Sequence, residues 1–120
     1  MANLERLFYR ILTINFEKHP MVKDLETNPG IGLGLGMART TDPLLTLYIL
    51  LKIKSELGNK NLKVMDVGCG DGVVLRIMKF ARFKEIIGIE GDFQLYSLAK
   101  RNNQYATIYF EDFTKKHAVN

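Results

Sequence analysis

The feature that most constrains the fold of this chain is a short glycine-rich stretch, Val64-Met65-Asp66-Val67-Gly68-Cys69-Gly70-Asp71-Gly72. It separates a segment that reads as a strand, Leu62 to Val67, from one that reads as a helix, Gly72 to Ala81. In the helical segment Val74, Ile77, Met78 and Ala81 share one face. The same alternation continues downstream. Glu85 to Glu90 reads as a second strand, with the β-branched Ile86, Ile87 and Ile89. Asp92 to Arg101 reads as a helix with Leu95, Leu98 and Ala99 facing a core, and Tyr105 to Phe110 as a third strand. Strands alternating with helices of about ten residues imply βαβ units and a parallel sheet.

Two helices are expected upstream. Leu4, Leu7, Phe8, Ile11 and Leu12 follow the spacing of an apolar helical stripe that ends near His19-Pro20. Asp42 as N-cap, Pro43 at the first helical position and Gly58 as the stop bound the second helix. Between them, residues 20–41 read as a connection carrying Asn28-Pro29-Gly30 and the alternating Gly32, Gly34 and Gly36. No strand precedes these three glycines, so they read as a flexible segment. The expected architecture is α/β: a Rossmann-like three-layer αβα arrangement with a partial parallel sheet of about three strands, preceded by two N-terminal helices. The expected domain division is 1–41, a helix with its connection, and 42–120, a ligand-binding core.

Glycines are needed in the turn because the chain reverses sharply and its backbone must approach a ligand closely. Two details narrow the ligand. A dinucleotide fingerprint starting at Gly68-x-Gly70 needs its third glycine where Val73 stands; the third glycine comes one residue early, at Gly72. Asp66 places a carboxylate two residues before Gly68, where it repels a pyrophosphate and tolerates a cation. An NAD-type Rossmann half is disfavoured on both counts, and no GxxxxGK[ST] loop is present. Glu90 ends the second strand, where an acid can accept both hydroxyl protons of a ribose. Asp112 follows the third strand, able to accept from an exocyclic amine, with Phe113 beside it to cover a base.

Asp66-x-Gly68-x-Gly70-x-Gly72, Gly88-Ile89-Glu90 and Glu111-Asp112-Phe113 together resemble the class I S-adenosylmethionine-dependent methyltransferases. The resemblance covers roughly residues 40–120. It implies a Rossmann-like fold with S-adenosylmethionine as cofactor. The methionine part falls to Gly68, Cys69, Gly70, Gly72 and the neighbouring Asp66, the ribose to Glu90, and the adenine to Asp112 with Phe113. Thr40, Thr41 and Asp42 stand where related enzymes fold a segment over the cofactor. Gly72-Val73-Val74-Leu75 and the Gly-Ile-Glu run are similar to the small protein-lysine methyltransferases. The acceptor is otherwise open among protein, RNA and small molecules.

The family fold has seven strands, with its acceptor-orienting motif after the fourth. Here Asn120 falls ten residues past the third predicted strand, and no Asp-Pro-Pro-Tyr-like motif follows. The chain reads as truncated, its catalytic residues are unassigned, and whether it is an active enzyme is left open. An inactive nucleoside-binding or structural remnant is the alternative, acting through a partner chain or second copy on the exposed edge of strand 62–67.

Cys69 reads as a small residue filling the turn, because no histidine stands near it. His19 and His117 lack ligand spacing, and no metal is expected. The net charge of +4 is spread evenly, 8 basic and 6 acidic residues in 1–60 and 9 and 7 in 61–120, which encourages a nucleic-acid partner only mildly. Arg76, Lys79 and Arg82 read as a solvated helix face. The most apolar run, Leu44 to Leu51, is far short of the roughly 20 residues a membrane span needs. With one cysteine and no secretory leader, the expected setting is the cytoplasm.

Overall fold

Three strands that are consecutive in sequence are also neighbours in one parallel sheet, in the order β1-β2-β3. The strands are β1 (Lys63–Val67), β2 (Glu85–Glu90) and β3 (Thr107–Phe110). The structure is a computed structural model, and it describes residues 3–20, 22–23, 42–58 and 61–112. The glycine alternation at 32–36, Thr40, Thr41, Phe113 and His117 lie outside the described residues. The chain divides into two compact units, Met1–Lys60 and Asn61–Asn120.

The first unit holds α1 (Asn3–Phe16) and α2 (Pro43–Glu56). The start of α2 follows its sequence signal. Asp42 accepts from the Leu44 and Leu45 amides at 2.9 and 3.4 Å, and Pro43 takes the first helical position. These two orphan amides would otherwise lack partners. Its end follows too, with Gly58 at φ +82°. Asp42 is thereby engaged as the cap that its sequence position signals. From Leu45 to Leu51 every residue of α2 is buried, so this helix is apolar around its whole circumference.

α1 departs from its expected orientation. Of the predicted stripe only Leu12 is buried; Leu4, Leu7, Phe8 and Ile11 are exposed. The contact with α2 is made instead by Tyr9, stacked on Tyr48 at 5.7 Å, and by Phe16, 6.2 Å from the same ring. Tyr9, Leu12 and Phe16 share a face at i, i+3, i+7, and two large rings offer more surface to Tyr48 than the leucines do.

In the second unit β1 and β2 pair with Asp66 opposite Gly88, and β2 and β3 with Glu90 opposite Phe110. Helices α3 (Val73–Phe80) and α4 (Phe93–Asn102) make the two crossovers. Right-handed crossovers that step the same way put both helices on one face of the sheet. That face carries Ile86, Gly88, Glu90 and Ile108, all buried, with Leu75 and Met78 from α3 and Ala99 from α4. The fold is the expected Rossmann-like α/β arrangement.

β3 begins two residues later than expected, because Ala106 N donates to Asn103 O and holds Tyr105 in a turn. On the opposite face of the sheet Met65 and Val67 remain more than half exposed. Among the described residues the outer edge of β1 has no neighbouring strand. No helix among them is long and apolar enough to cross a membrane.

Candidate functional site

Parallel pairing puts the C-terminal ends of all three strands at one edge of the sheet, where open α/β sheets bind ligands. Asp66 lies near the end of β1, Glu90 ends β2 and Asp112 follows β3. Glu111 N donates to Glu90 O at 2.9 Å, extending the β2–β3 alignment past the strand. Gly91 then passes so close that a Cβ there would sit 3.2 Å from the Asp112 Cα. The fold therefore gathers Asp66, Gly68, Cys69, Gly70, Gly72, Glu90 and Asp112 at this edge.

The turn after β1 is held by its own backbone. Gly68 N and Cys69 N both donate to Ile89 O, at 2.8 and 3.0 Å, and Gly72 N donates to Cys69 O at 3.0 Å. Gly70 N donates to Glu90 Oε1 at 2.8 Å. These conformations require glycine: φ is +79° at Gly68, +57° at Gly70 and +92° at Gly72. With four amides engaged inside the protein, the turn does not present the row of free N–H groups that cradles a phosphate.

The surroundings of Gly70 and Gly72 differ. A Cβ on Gly70 would meet nothing within 4 Å, so the turn opens onto space there. A Cβ on Gly72 would stand 2.2 Å from Asn103 Nδ2, which makes Gly72 a packing glycine. The buried Asn103 donates to Ala99 O at 2.9 Å and accepts from the Tyr105 hydroxyl. Gly88 does similar work inside the sheet, leaving room for the Cys69 sulfur and Leu75. Neither the role of Asn103 nor that of Gly88 was legible from spacing, since both depend on which loops the topology brings together.

Glu90 is 9% exposed and its second oxygen, Oε2, accepts from Asp92 N at 2.8 Å. One carboxylate thus links the glycine turn of β1 to the start of α4. Each carboxylate oxygen can accept more than one hydrogen bond, so a diol could still be bound. Asp92 caps α4 through Leu95 N at 2.9 Å. Asp66 makes no comparable bond. Burial, and then the charge of Glu90, push its carboxyl up to about 6. Among the described residues no cation forms a salt bridge with Asp66 or Glu90. Burial and the neighbouring carboxylates Asp66 and Glu90 push the Cys69 thiol up to about 12, which removes its nucleophilic form near neutrality. No group of three or more His, Cys, Asp or Glu side chains among the described residues is placed to hold a metal ion.

No family model matches the chain, and no curated protein matches it in sequence. Solved structures do match in fold. The plantazolicin methyltransferase BpumL, in complex with a pentazolic desmethylPZN analog and SAH, superposes with a TM-score of 0.54 at 17% identity, over 96% of this chain and 43% of that one. The plantazolicin methyltransferase BamL, in complex with a triazolic desmethylPZN analog and SAH, gives 0.51 at 20% identity, over 90% and 39%. The chain shares its fold with these methyltransferases and spans less than half the length of either.

Proposed function

We propose that this chain is the cofactor-binding part of an S-adenosylmethionine-dependent methyltransferase. The observation that carries the reading is the pair of neighbouring carboxylates, Asp66 and Glu90, which have no cationic partner among the described residues, Glu90 being bonded to the open backbone of Gly70. Burial, and then the charge of Glu90, raise the Asp66 pKa, and a cationic ligand would relieve that cost. A pyrophosphate would aggravate it and would find the turn amides already engaged. The fold shared with two solved methyltransferases supports the same reading.

Asp66 and Gly70 would hold the charged methionine end, Glu90 the ribose, and Asp112 the adenine amine, with Phe113 against the base. When bound, S-adenosylmethionine supplies an electrophilic methyl group on a sulfonium, so the chemistry is the cofactor's. The protein's part is to orient that group and exclude water from it. The acceptor proposed is a protein lysine, on the similarity of residues 72–75 and 88–90 to that branch. Calorimetric titration of the full chain with S-adenosylhomocysteine tests the cofactor assignment: micromolar binding is expected, and no heat at millimolar ligand from folded protein overturns it. Tighter binding of NAD would transfer the site to the dinucleotide class.

A second reading rests on β1. Its free outer edge among the described residues, with Met65 and Val67 exposed, fits strand addition by another chain or a second copy. Light scattering on the eluted protein distinguishes this from a monomer.

A further inference from the structure

We propose that the outer face of the α3–α4 layer is a docking surface for single-stranded nucleic acid. Arg76, Lys79 and Lys100 would engage phosphates, and the aromatic rings beside the lysines would stack on bases. This goes beyond the cofactor reading and does not depend on it.

The first observation is one of charge. The sequence has no carboxylate between Asp71 and Glu85, and none between Asp92 and Glu111, so both helices carry only cations. Arg76 and Lys79 on α3 and Lys100 and Arg101 on α4 are all exposed. An ordinary solvated helix intersperses the two signs. Among the described residues none of these four forms a salt bridge, whereas Lys52 and Lys63 elsewhere each pair with a glutamate.

The second observation is what the cations do touch. Lys79 Nζ lies 5.4 Å from the centroid of the Tyr105 ring, and the charge of Arg76 also acts on the Tyr105 hydroxyl. Lys100 Nζ lies 5.6 Å from the Tyr96 centroid and donates to its hydroxyl at 3.3 Å. Tyr96 in turn packs on Phe93 and Phe110, whose rings meet edge to face at 5.6 Å while remaining 64% and 53% exposed. Phe93, Tyr96 and Lys100 stand on one side of α4 at i, i+3, i+7.

Cations alone would fit any polyanion. Cations interleaved with solvent-facing rings fit a strand whose phosphates and unpaired bases alternate, since every base offers a stacking face. An acidic peptide would use the charges and leave the rings idle. The ten residues of α4 extend about 15 Å, which suits a footprint of a few nucleotides.

The test is fluorescence anisotropy of a labelled single-stranded oligouridine titrated with the full chain. If three phosphates are contacted, raising salt fourfold should weaken binding about twentyfold. The triple variant Arg76→Gln/Lys79→Gln/Lys100→Gln should lose at least about tenfold in affinity and flatten the salt dependence. Phe93→Leu keeps the surface apolar but removes the stacking face, and should cost about fivefold or more. Circular dichroism and an unchanged melt establish that the variants fold.

No binding at low salt overturns the proposal. So does binding indifferent to Phe93→Leu, which marks a simple polyanion site, or tighter binding to phosphatidylserine vesicles than to oligouridine, which marks a membrane surface. Calorimetry with S-adenosylhomocysteine on the triple variant keeps the two claims apart. Its cofactor affinity should match wild type, and either ligand can fail without the other.

Discussion

Glu90 and Gly70 are joined side chain to backbone: Glu90 Oε1 accepts the Gly70 amide proton at 2.8 Å, across twenty positions of sequence. The acid expected only to receive a ribose is also the clasp that holds the glycine turn against β2. Loss of affinity on removing it therefore has two possible sources, and they can be separated.

Glu90→Ala should destabilise the protein by about 2–4 kcal/mol, because the Gly70 and Asp92 amides lose their acceptor in a largely buried place. Urea unfolding measures this. The ribose contact is read without mutation, by comparing S-adenosylhomocysteine with its 2′,3′-dideoxy analogue on wild-type protein. A loss of about tenfold or more is expected from the missing hydroxyls, and equal affinities would remove Glu90 from ribose binding.

Asp66 gives the protein a pH signature. The folded carboxyl holds its proton up to about pH 6, whereas the unfolded chain releases it near 3.8, so unfolding releases a proton between these values. Stability should fall as pH rises through that window, by on the order of 3 kcal/mol, and level off above it. Asp66→Asn should abolish this slope and raise the melting temperature at pH 7.5. The same variant should weaken S-adenosylmethionine binding, and stronger binding would contradict the cationic-ligand reading.

The two inner glycines should separate stability from binding. Gly72→Ala drives a Cβ into Asn103 at φ +92°, and should cost at least about 2 kcal/mol in chemical denaturation. Gly70→Ala meets no atom, so it should cost only the left-handed penalty of about 1 kcal/mol. Its methyl group enters the open side of the turn, and calorimetry should show a disproportionate fall in cofactor affinity.

Cys69 should resist alkylation. The residue is 5% exposed, and burial with the nearby Asp66 and Glu90 carboxylates pushes its thiol up to about 12, so at pH 8 little thiolate is present. Iodoacetamide labelling followed by mass spectrometry should be slow in native buffer and fast in urea. Rapid native labelling would show that the turn opens.

Much of this was legible in the sequence because the signals were local. Asp42-Pro43 and Gly58 bounded α2, the β-branched run marked β2, and the glycines fell where the backbone turns left-handed. The misreadings arose where a tertiary partner decides. The stripe on α1 lost to Tyr9 and Phe16 because Tyr48 stands opposite them. Tyr105 left the third strand because Asn103 holds its hydroxyl and its loop. The double engagement of Glu90 needed the parallel register, which brings residues 70, 90 and 92 to one point and has no periodic trace in sequence.

The bond from Glu90 to Gly70 also closes a ring: turn, α3, the link to β2 and β2 itself run from one end of that bond to the other. Length changes within the ring are then unequal in effect. Extra residues after α3, near Arg82, would enlarge its far side and leave the two ends in register. A single residue inserted between Val67 and Gly72 would shift the amide away from its acceptor. Natural variation in length should therefore collect at the bottom of the sheet and spare the turn, so the ring acts as a ruler for how far this site can evolve.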